Sequence, residues 1–294
     1  MTIVVSVKVH DGLVLASDSA STLTERLASG EEKTLNVWNH QNKVFNLYKG
    51  LSIGGITFGH GAIGHSSIST LAKDFRALLC SGEGWRIEPA AYTMQDVAEK
   101  ARRFIFEENF LPTYGDEPVK PGVLGFWVGG YSAGQALAEL WDISIRNGEC
   151  PAPQLLRAGP DAGLNWGGDP EAVTRIVHGH SETLPAALLS VGAPPEQLDA
   201  VMEVIRTHAL VDLVWAPMPI QDAIDLAHFL VSTAIAFARF RPGAETIGGP
   251  IEIAAITKHE GFKWVKRKHY FGIELNRDSY PAFSNEEAHH GTAA

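Results

Sequence analysis

The position with the clearest chemical potential is Thr2, which follows Met1 and opens an apolar run over residues 3–9. A threonine hydroxyl is a weak nucleophile and needs a general base beside it. Removal of Met1 would give Thr2 a free α-amine, whose reference pKa of about 7.7–8.0 lies near working pH. One terminal residue would then hold both a nucleophile and its base.

The second residue of interest is Asp18, which ends a run over residues 13–19. A turn at residues 10–12 joins the two runs. A three-residue loop with Gly12 in the left-handed conformation would set Asp18 on the same sheet face as Thr2. A two-residue loop would move the register by one and turn the carboxylate to the other face, because strand side chains alternate. We expect the three-residue loop.

Size, charge and cysteine usage restrict the functional class. The chain has 294 residues, 45% of them hydrophobic, which is enough for a sizeable core. A formal charge of −10 gives no basic surface, so we expect no binding to nucleic acid or to a membrane. Cys80 and Cys150 lack any metal-binding spacing, so neither a disulfide framework nor a metal site is expected. The pattern indicates neither a leader nor a membrane span of about 18 apolar residues, and we expect a cytoplasmic protein.

The order of predicted elements indicates the fold class. Helices are predicted after caps at Ser66 or Ser67 and at Thr93 and, with proline breaks, over much of 170–240, whereas the polar segment 22–41 is predicted to be a loop. Strands are predicted over 3–9, 13–19, 43–47, 51–58, 123–131, 136–145, 155–166, 251–256 and 262–265. This order favours an α+β fold in which two antiparallel sheets carry helices on both outer faces, a four-layer αββα sandwich.

The sequence also predicts the domain organisation. No repeat, low-complexity linker or charge run divides the chain. We expect one domain over residues 1–283 with a helical elaboration near 178–218, and a disordered tail at 284–294.

Four landmarks in chain order resemble the proteasome β-subunit family of N-terminal nucleophile (Ntn) hydrolases, and in particular its bacterial proteasome-like branch. They are Thr2 with its strand, the Asp-Gly hairpin ending in Ala-Ser-Asp-Ser at 16–19, the Lys-Val-Phe start at 43–45, and the Gly-Gly-Pro-Ile-Glu-Ile entry at 248–253. The resemblance implies an Ntn-hydrolase fold and cleavage of amide bonds, with peptides or small amides as substrates. It also implies a homo-oligomer, for which a ring is one possible form, and no cofactor.

The resemblance also implies roles for five residues. Thr2 would be the nucleophile and its α-amine the base, Lys43 would lower the pKa of the hydroxyl, and Asp18 would hold Lys43 by a charge-assisted hydrogen bond. A backbone N–H at Gly59 would be the oxyanion donor. Asp169 would take the place of the family's central serine.

Two positions depart from the family pattern. Ile247 and Ala244 stand where a serine and an acidic residue usually support the terminal amine, and Asp169 or Glu245 could substitute for them. These departures favour an alternative, a non-catalytic proteasome-like subunit that scaffolds an assembly.

Two short motifs offer rival interpretations. The Gly59–Gly64 stretch matches the dinucleotide motif GxGxxG, but no parallel strand with an acidic end follows, so close backbone packing is the preferred explanation. The 130–134 stretch matches the GxSxG nucleophile elbow, which gives a second alternative, a serine esterase using Ser132. An ordinary hairpin turn explains the same pentapeptide.

Overall fold

A computed structural model of the chain describes residues 2–26 and 32–268, which form an α+β fold, the class predicted from the sequence. The strands are β1 Ile3–Val9, β2 Gly12–Ser17, β3 Ser21–Arg26, β4 Glu32–Trp38, β5 Val44–Asn46, β6 Ile53–Gly59, β7 Ala62–Ile63, β8 Ser66–Ser67, β9 Leu124–Gly130, β10 Glu139–Asp142, β11 Gln154–Arg157, β12 Gly163–Gly168, β13 Glu252–Thr257 and β14 Gly261–Lys266. The helices are α1 Ile68–Ser81, α2 Met94–Arg102, α3 Leu111–Tyr114, α4 Glu171–His178, α5 Leu184–Ser190, α6 Leu198–Ala209 and α7 Ile220–Phe240, with a π-helical segment at Arg103–Phe110 and a 3₁₀ turn at Pro195–Gln197.

Two five-stranded antiparallel sheets dominate the described residues. The first has the order β12-β1-β2-β13-β14, and the second has the order β11-β10-β9-β6-β5. The hairpin of β1 and β2 lies inside the first sheet, so its backbone is paired on both sides. Both strands are buried along their whole length. The site residues at the ends of these strands are therefore held by the most buried part of the fold.

Helix starts follow the capping residues that the sequence predicts. The Ser67 hydroxyl accepts a hydrogen bond from the Thr70 N–H at the start of α1, and the Thr93 hydroxyl accepts one from the Asp96 N–H at the start of α2. Each bond satisfies one of the amide donors that a helix leaves unpaired in its first turn.

Three buried apolar clusters hold these elements together. One joins the two sheets and includes Val4, Leu15, Ile56 and Trp127. Another packs α1 and α2 against the second sheet, and the third packs α4 and α7 against the first. Each sheet is therefore buried against the other sheet and also against helices.

The prediction for the first turn is wrong. Val9 pairs with Gly12, so the loop contains two residues rather than three. Asp18 nevertheless reaches the predicted site, because it lies one residue beyond the end of β2. There the alternation of a paired strand no longer fixes the side-chain direction.

Two other predictions also need correction. The predicted loop at 22–41 contains the hairpin β3–β4, and the single extended piece at 155–166 is two strands, β11 and β12, in different sheets. The predicted disordered tail at 284–294 lies outside the described residues.

Helix α7 differs from the sequence-based expectation that the chain has no stretch long and apolar enough to span a membrane. It has 21 residues and contains an 18-residue stretch with a mean hydropathy of 1.4, so it is long and apolar enough to cross a bilayer by length and composition alone. In the structure, one side of α7 packs on the first sheet through residues such as Ala227, Leu230 and Val231. Core packing therefore explains the apolar residues on that side of α7, whereas Phe229, Phe237 and Phe240 are 50%, 37% and 82% exposed.

Candidate active site

Thr2, Asp18 and Lys43 meet at one point of the fold because each lies at the end of a strand. Thr2 directly precedes β1, Asp18 directly follows β2, and Lys43 directly precedes β5 of the other sheet. The N–H of Thr57 donates to the Lys43 carbonyl at 2.9 Å, which fixes the Lys43 backbone against β6. The site therefore joins the two sheets.

Lys43 lies between the other two side chains. Its Nζ donates a 2.6 Å hydrogen bond to Oγ1 of Thr2 and a 2.7 Å charge-assisted hydrogen bond to Oδ1 of Asp18. The side chains of Lys43 and Asp18 are 2% and 0% exposed, and Thr2 is 4% exposed. The three residues that the sequence selected form one continuous buried chain of polar contacts.

Asp18 is held by backbone amides as well as by Lys43. Its Oδ1 accepts the N–H of Ile3 at 3.1 Å, and its Oδ2 accepts the N–H groups of Ala20 and Gly248 at 3.0 Å each. Three amides and one ammonium therefore surround a carboxylate that has no access to solvent. Hydrogen bonds to the charged form offset the cost of burying it.

Opposing effects set the charge state of Lys43. Burial is the largest and lowers the pKa of the ammonium, whereas the charge and hydrogen bond of Asp18 raise it. The net effect is a lowered pKa. A buried lysine of this kind, hydrogen-bonded to a hydroxyl, stabilises negative charge that develops on the hydroxyl oxygen.

Asp169 lies beside Thr2 but contacts it through the backbone. Its N–H donates to the Thr2 carbonyl at 2.7 Å, while its carboxylate accepts a 2.7 Å hydrogen bond from Arg241 and a 3.3 Å one from the N–H of Glu171. The preceding Gly168 has φ of +95°, and a Cβ there would lie 1.9 Å from the Thr2 carbonyl oxygen. This corner therefore fixes the main chain of Thr2.

Gly59 ends β6 and packs against β9. It pairs with Leu124, has φ of +81°, and a Cβ would lie 2.0 Å from the Val123 carbonyl oxygen. Only glycine fits such a close backbone approach. The oxyanion role of the Gly59 N–H stays a prediction.

The rival motifs have structural explanations. The Ser132 hydroxyl accepts a 2.8 Å hydrogen bond from the N–H of Met94 at the start of α2. The 59–64 stretch follows β6, which pairs antiparallel with both β5 and β9, so it is not part of a parallel βαβ unit. Over residues 2–26 and 32–268, no group of three or more His, Cys, Asp or Glu side chains is arranged to hold a metal ion.

Sequence reasoning missed a second polar cluster that adjoins the first. Lys268 donates to the Ser19 hydroxyl at 2.6 Å and to the Gln41 carbonyl at 2.7 Å, and it forms a 3.0 Å ion pair with Glu252. Ser19 and Glu252 lie within the motifs at 16–19 and 248–253 that indicated the site, so the sequence could have predicted that they take part in it. Lys268 lies two residues after β14 and outside these motifs, so no sequence pattern indicated it.

Comparisons with known proteins support the fold. No family model matches the sequence, and no curated protein matches it. Among solved structures, the helical assembly of the Anbu complex from Pseudomonas aeruginosa is 15% identical, with 94% of this chain and 91% of that chain covered and a TM-score of 0.51. An Anbu mutant from Hyphomicrobium sp. strain MC1 is 14% identical, with 91% and 86% covered and a TM-score of 0.53. Anbu (ancestral beta-subunit) from Yersinia bercovieri is 12% identical, with 94% and 91% covered and a TM-score of 0.49.

These likenesses show a shared fold. The resemblance to the proteasome β-subunit family of Ntn hydrolases, and to its bacterial proteasome-like branch, is wrong as a family assignment. No family model supports it, the structural neighbours include Anbu complexes, and the combination of sheets and helices does not by itself define that family's sandwich. The four landmarks are short segments near strand ends, so they reflect the local demands of one polar site rather than the whole chain.

Proposed function

We propose that this chain is an N-terminal threonine hydrolase that cleaves amide bonds, with peptides as substrates, through an acyl-enzyme ester on Thr2. The observation that carries this proposal is the buried contact of Thr2 Oγ1 with Lys43, which is itself paired with Asp18. Removal of Met1 would supply the base, since the α-amine then belongs to the nucleophilic residue.

The proposed reaction has two halves. The α-amine of Thr2 accepts the hydroxyl proton while Oγ1 attacks the carbonyl carbon of the substrate. The resulting oxyanion accepts a hydrogen bond from the N–H of Gly59. The protonated amine then gives its proton to the leaving amine, which leaves the acyl group on Oγ1 as an ester. A water molecule then attacks the ester and gives a proton to the same amine. The amine returns that proton to Oγ1 as the ester bond breaks, which releases the product carboxylic acid and restores Thr2.

Lys43 keeps its proton throughout this cycle. Its positive charge stabilises the developing charge on Oγ1 and disfavours protonation of the nearby amine. Asp18 keeps Lys43 charged and fixes its position, a positioning role supported by its three backbone donors.

The structure shows an α+β fold, and we propose a more specific layer order and an assembly. The three apolar clusters support a four-layer αββα order within a single domain over 1–283, with a helical elaboration at 178–218. We also propose a homo-oligomer in the cytoplasm that needs no cofactor, and the assembly of the Anbu complex supports the oligomer.

One observation favours a second candidate, a non-catalytic scaffold subunit. Ile247 is 4% exposed and belongs to the apolar cluster beneath the first sheet. An isoleucine offers no hydrogen bond to a terminal amine. A protein with an intact Thr2 site and no hydrolytic activity would fit this candidate.

Hydrolysis of fluorogenic peptide amides tests the proposal. Wild type and Thr2→Ser should release the fluorophore, whereas Thr2→Ala should show no activity above background. Ser132→Ala, compared at equal amounts of folded protein, should retain the wild-type rate. Full activity in Thr2→Ala would refute the proposal, and loss of activity only in Ser132→Ala would favour the esterase.

A further inference from the structure

We propose that Lys268 is a positioning residue of the Thr2 site, whose buried ammonium ties together the segments carrying Asp18 and Lys43 and places a second positive charge near Lys43. This inference rests on the proposed function of Thr2. It assigns a role to Lys268, which lies two residues after β14 and which none of the sequence motifs indicated.

The contacts of Lys268 carry the first part of the argument. An ammonium has three N–H donors, and Lys268 faces three acceptors: Ser19 Oγ, the Gln41 carbonyl and the Glu252 carboxylate. The side chains of Lys268 and Glu252 are 4% and 1% exposed. The contacts with Ser19 and Gln41 are hydrogen bonds, whereas buried Glu252 Oε2 has the ion pair with Lys268 and no hydrogen bond, so removal of Lys268 would leave that carboxylate uncompensated.

The contacted segments are those that position the catalytic groups. Ser19 directly follows Asp18, and Gln41 lies two residues before Lys43. The Gln41 N–H donates to the Ser19 carbonyl at 2.9 Å, and the Ser19 hydroxyl donates to the Pro250 carbonyl at 2.6 Å. Lys268 therefore closes a junction at which the Asp18 segment, the Lys43 segment and the start of β13 meet.

Electrostatics gives the second part of the argument. The charged groups that face Lys43 are Asp18, Glu252 and Lys268, together with the Thr2 amine once Met1 is removed. Lys268 lowers the pKa of Lys43 and Glu252 raises it, both less strongly than burial and Asp18. Lys268 itself faces Glu252, Asp18 and Arg267, and burial lowers its own pKa.

Substitution of Lys268 should therefore change the titration of Lys43. Lys268→Met removes the positive charge that lowers the pKa of Lys43 and leaves the Glu252 carboxylate that raises it, so the pKa of Lys43 should rise. The double variant Lys268→Met with Glu252→Gln removes both charges and should show a smaller rise. Lys268→Arg keeps the charge and should stay nearer to wild type.

The experiment measures two properties of the full chain. The first is the pKa of Lys43, followed by NMR of isotope-labelled lysine Nζ groups and assigned with Lys43→Arg. The second is the rate at which an electrophilic acyl probe labels Thr2 between pH 6 and 11. Lys266→Met, at an exposed lysine two residues away, is the matched control.

We expect a raised Lys43 pKa, an alkaline limb of labelling moved to higher pH, and labelling near neutral pH slowed by about 10- to 100-fold in Lys268→Met. Lys266→Met should match wild type in both properties. An unchanged Lys43 pKa in Lys268→Met, or labelling slowed no more than in Lys266→Met, would overturn the inference. A wild-type chain whose Thr2 is not labelled would instead refute the proposed function, and the Lys43 titration would still decide the role of Lys268.

Discussion

Removal of the Lys43 ammonium should destabilise the fold far more than removal of an exposed lysine. In Lys43→Met, the Asp18 carboxylate stays buried and loses the partner that lies 2.7 Å away. Breaking a buried pair by deleting one partner costs about 3–5 kcal/mol. Asp18 keeps three backbone donors, so we expect the lower end, about 3 kcal/mol.

Thermal unfolding converts this cost into a measurable shift. The entropy of unfolding is about 2.1 cal/mol/K per residue, so the 294-residue chain should have a value of about 0.6 kcal/mol/K. Lys43→Met should therefore lower Tm by about 5 °C, as measured by circular dichroism or calorimetry.

Lys100→Met provides the matched control. Lys100 pairs with Asp96 at 2.8 Å on the surface of α2, with side chains 22% and 42% exposed. Exposed pairs four residues apart contribute about 0.3–0.5 kcal/mol, so Tm should fall by less than about 1 °C. Equal Tm shifts in the two variants would refute the claim that a buried ion pair organises the site.

Three further predictions follow from backbone geometry and burial. Gly168→Ala should cost at least about 1–2 kcal/mol and slow Thr2 labelling, because φ is +95° and the new Cβ meets the Thr2 carbonyl oxygen. Gly50→Ala, with φ of +93° and nothing within 4 Å, should show the strain in urea unfolding without slowed labelling. Burial raises the pKa of the Cys150 thiol from 9.0 to about 11, so this thiol contributes a slope in which stability falls as pH rises through that window, opposed by the lowered pKa values of Lys43 and Lys268. Cys150→Ala should flatten that slope in urea unfolding, and an unchanged slope would contradict the assignment.

The sequence located the polar cluster of the candidate site because its members have distinctive types at strand ends. Thr2, Asp18 and Lys43 meet as the resemblance implied, although the family assignment built on it was wrong. Asp18 does not follow the predicted register, because the turn before β2 has two residues instead of three. Its carboxylate accepts hydrogen bonds from the N–H groups of Ile3 and Gly248. These donors lie far apart in the chain, so no local sequence pattern predicts them.

Other elements left weak signals. The β3–β4 hairpin has little buried surface, with Leu23 and Trp38 42% and 52% exposed, so its sequence lacks the alternation of a half-buried strand. Lys268 contacts Ser19 across 249 positions. Spacing rules describe neighbours within one element and cannot find a contact of this range.

Mapping of the residue that reacts with an electrophilic acyl probe tests the central claim most directly. Purified wild-type protein would be labelled, digested and analysed by mass spectrometry, together with Thr2→Ala. The account predicts an N-terminal peptide that begins at Thr2, lacks Met1 and carries one acyl group, which Thr2→Ala does not acquire. Retention of Met1 in most molecules, or an adduct on another residue such as Ser132, would contradict it.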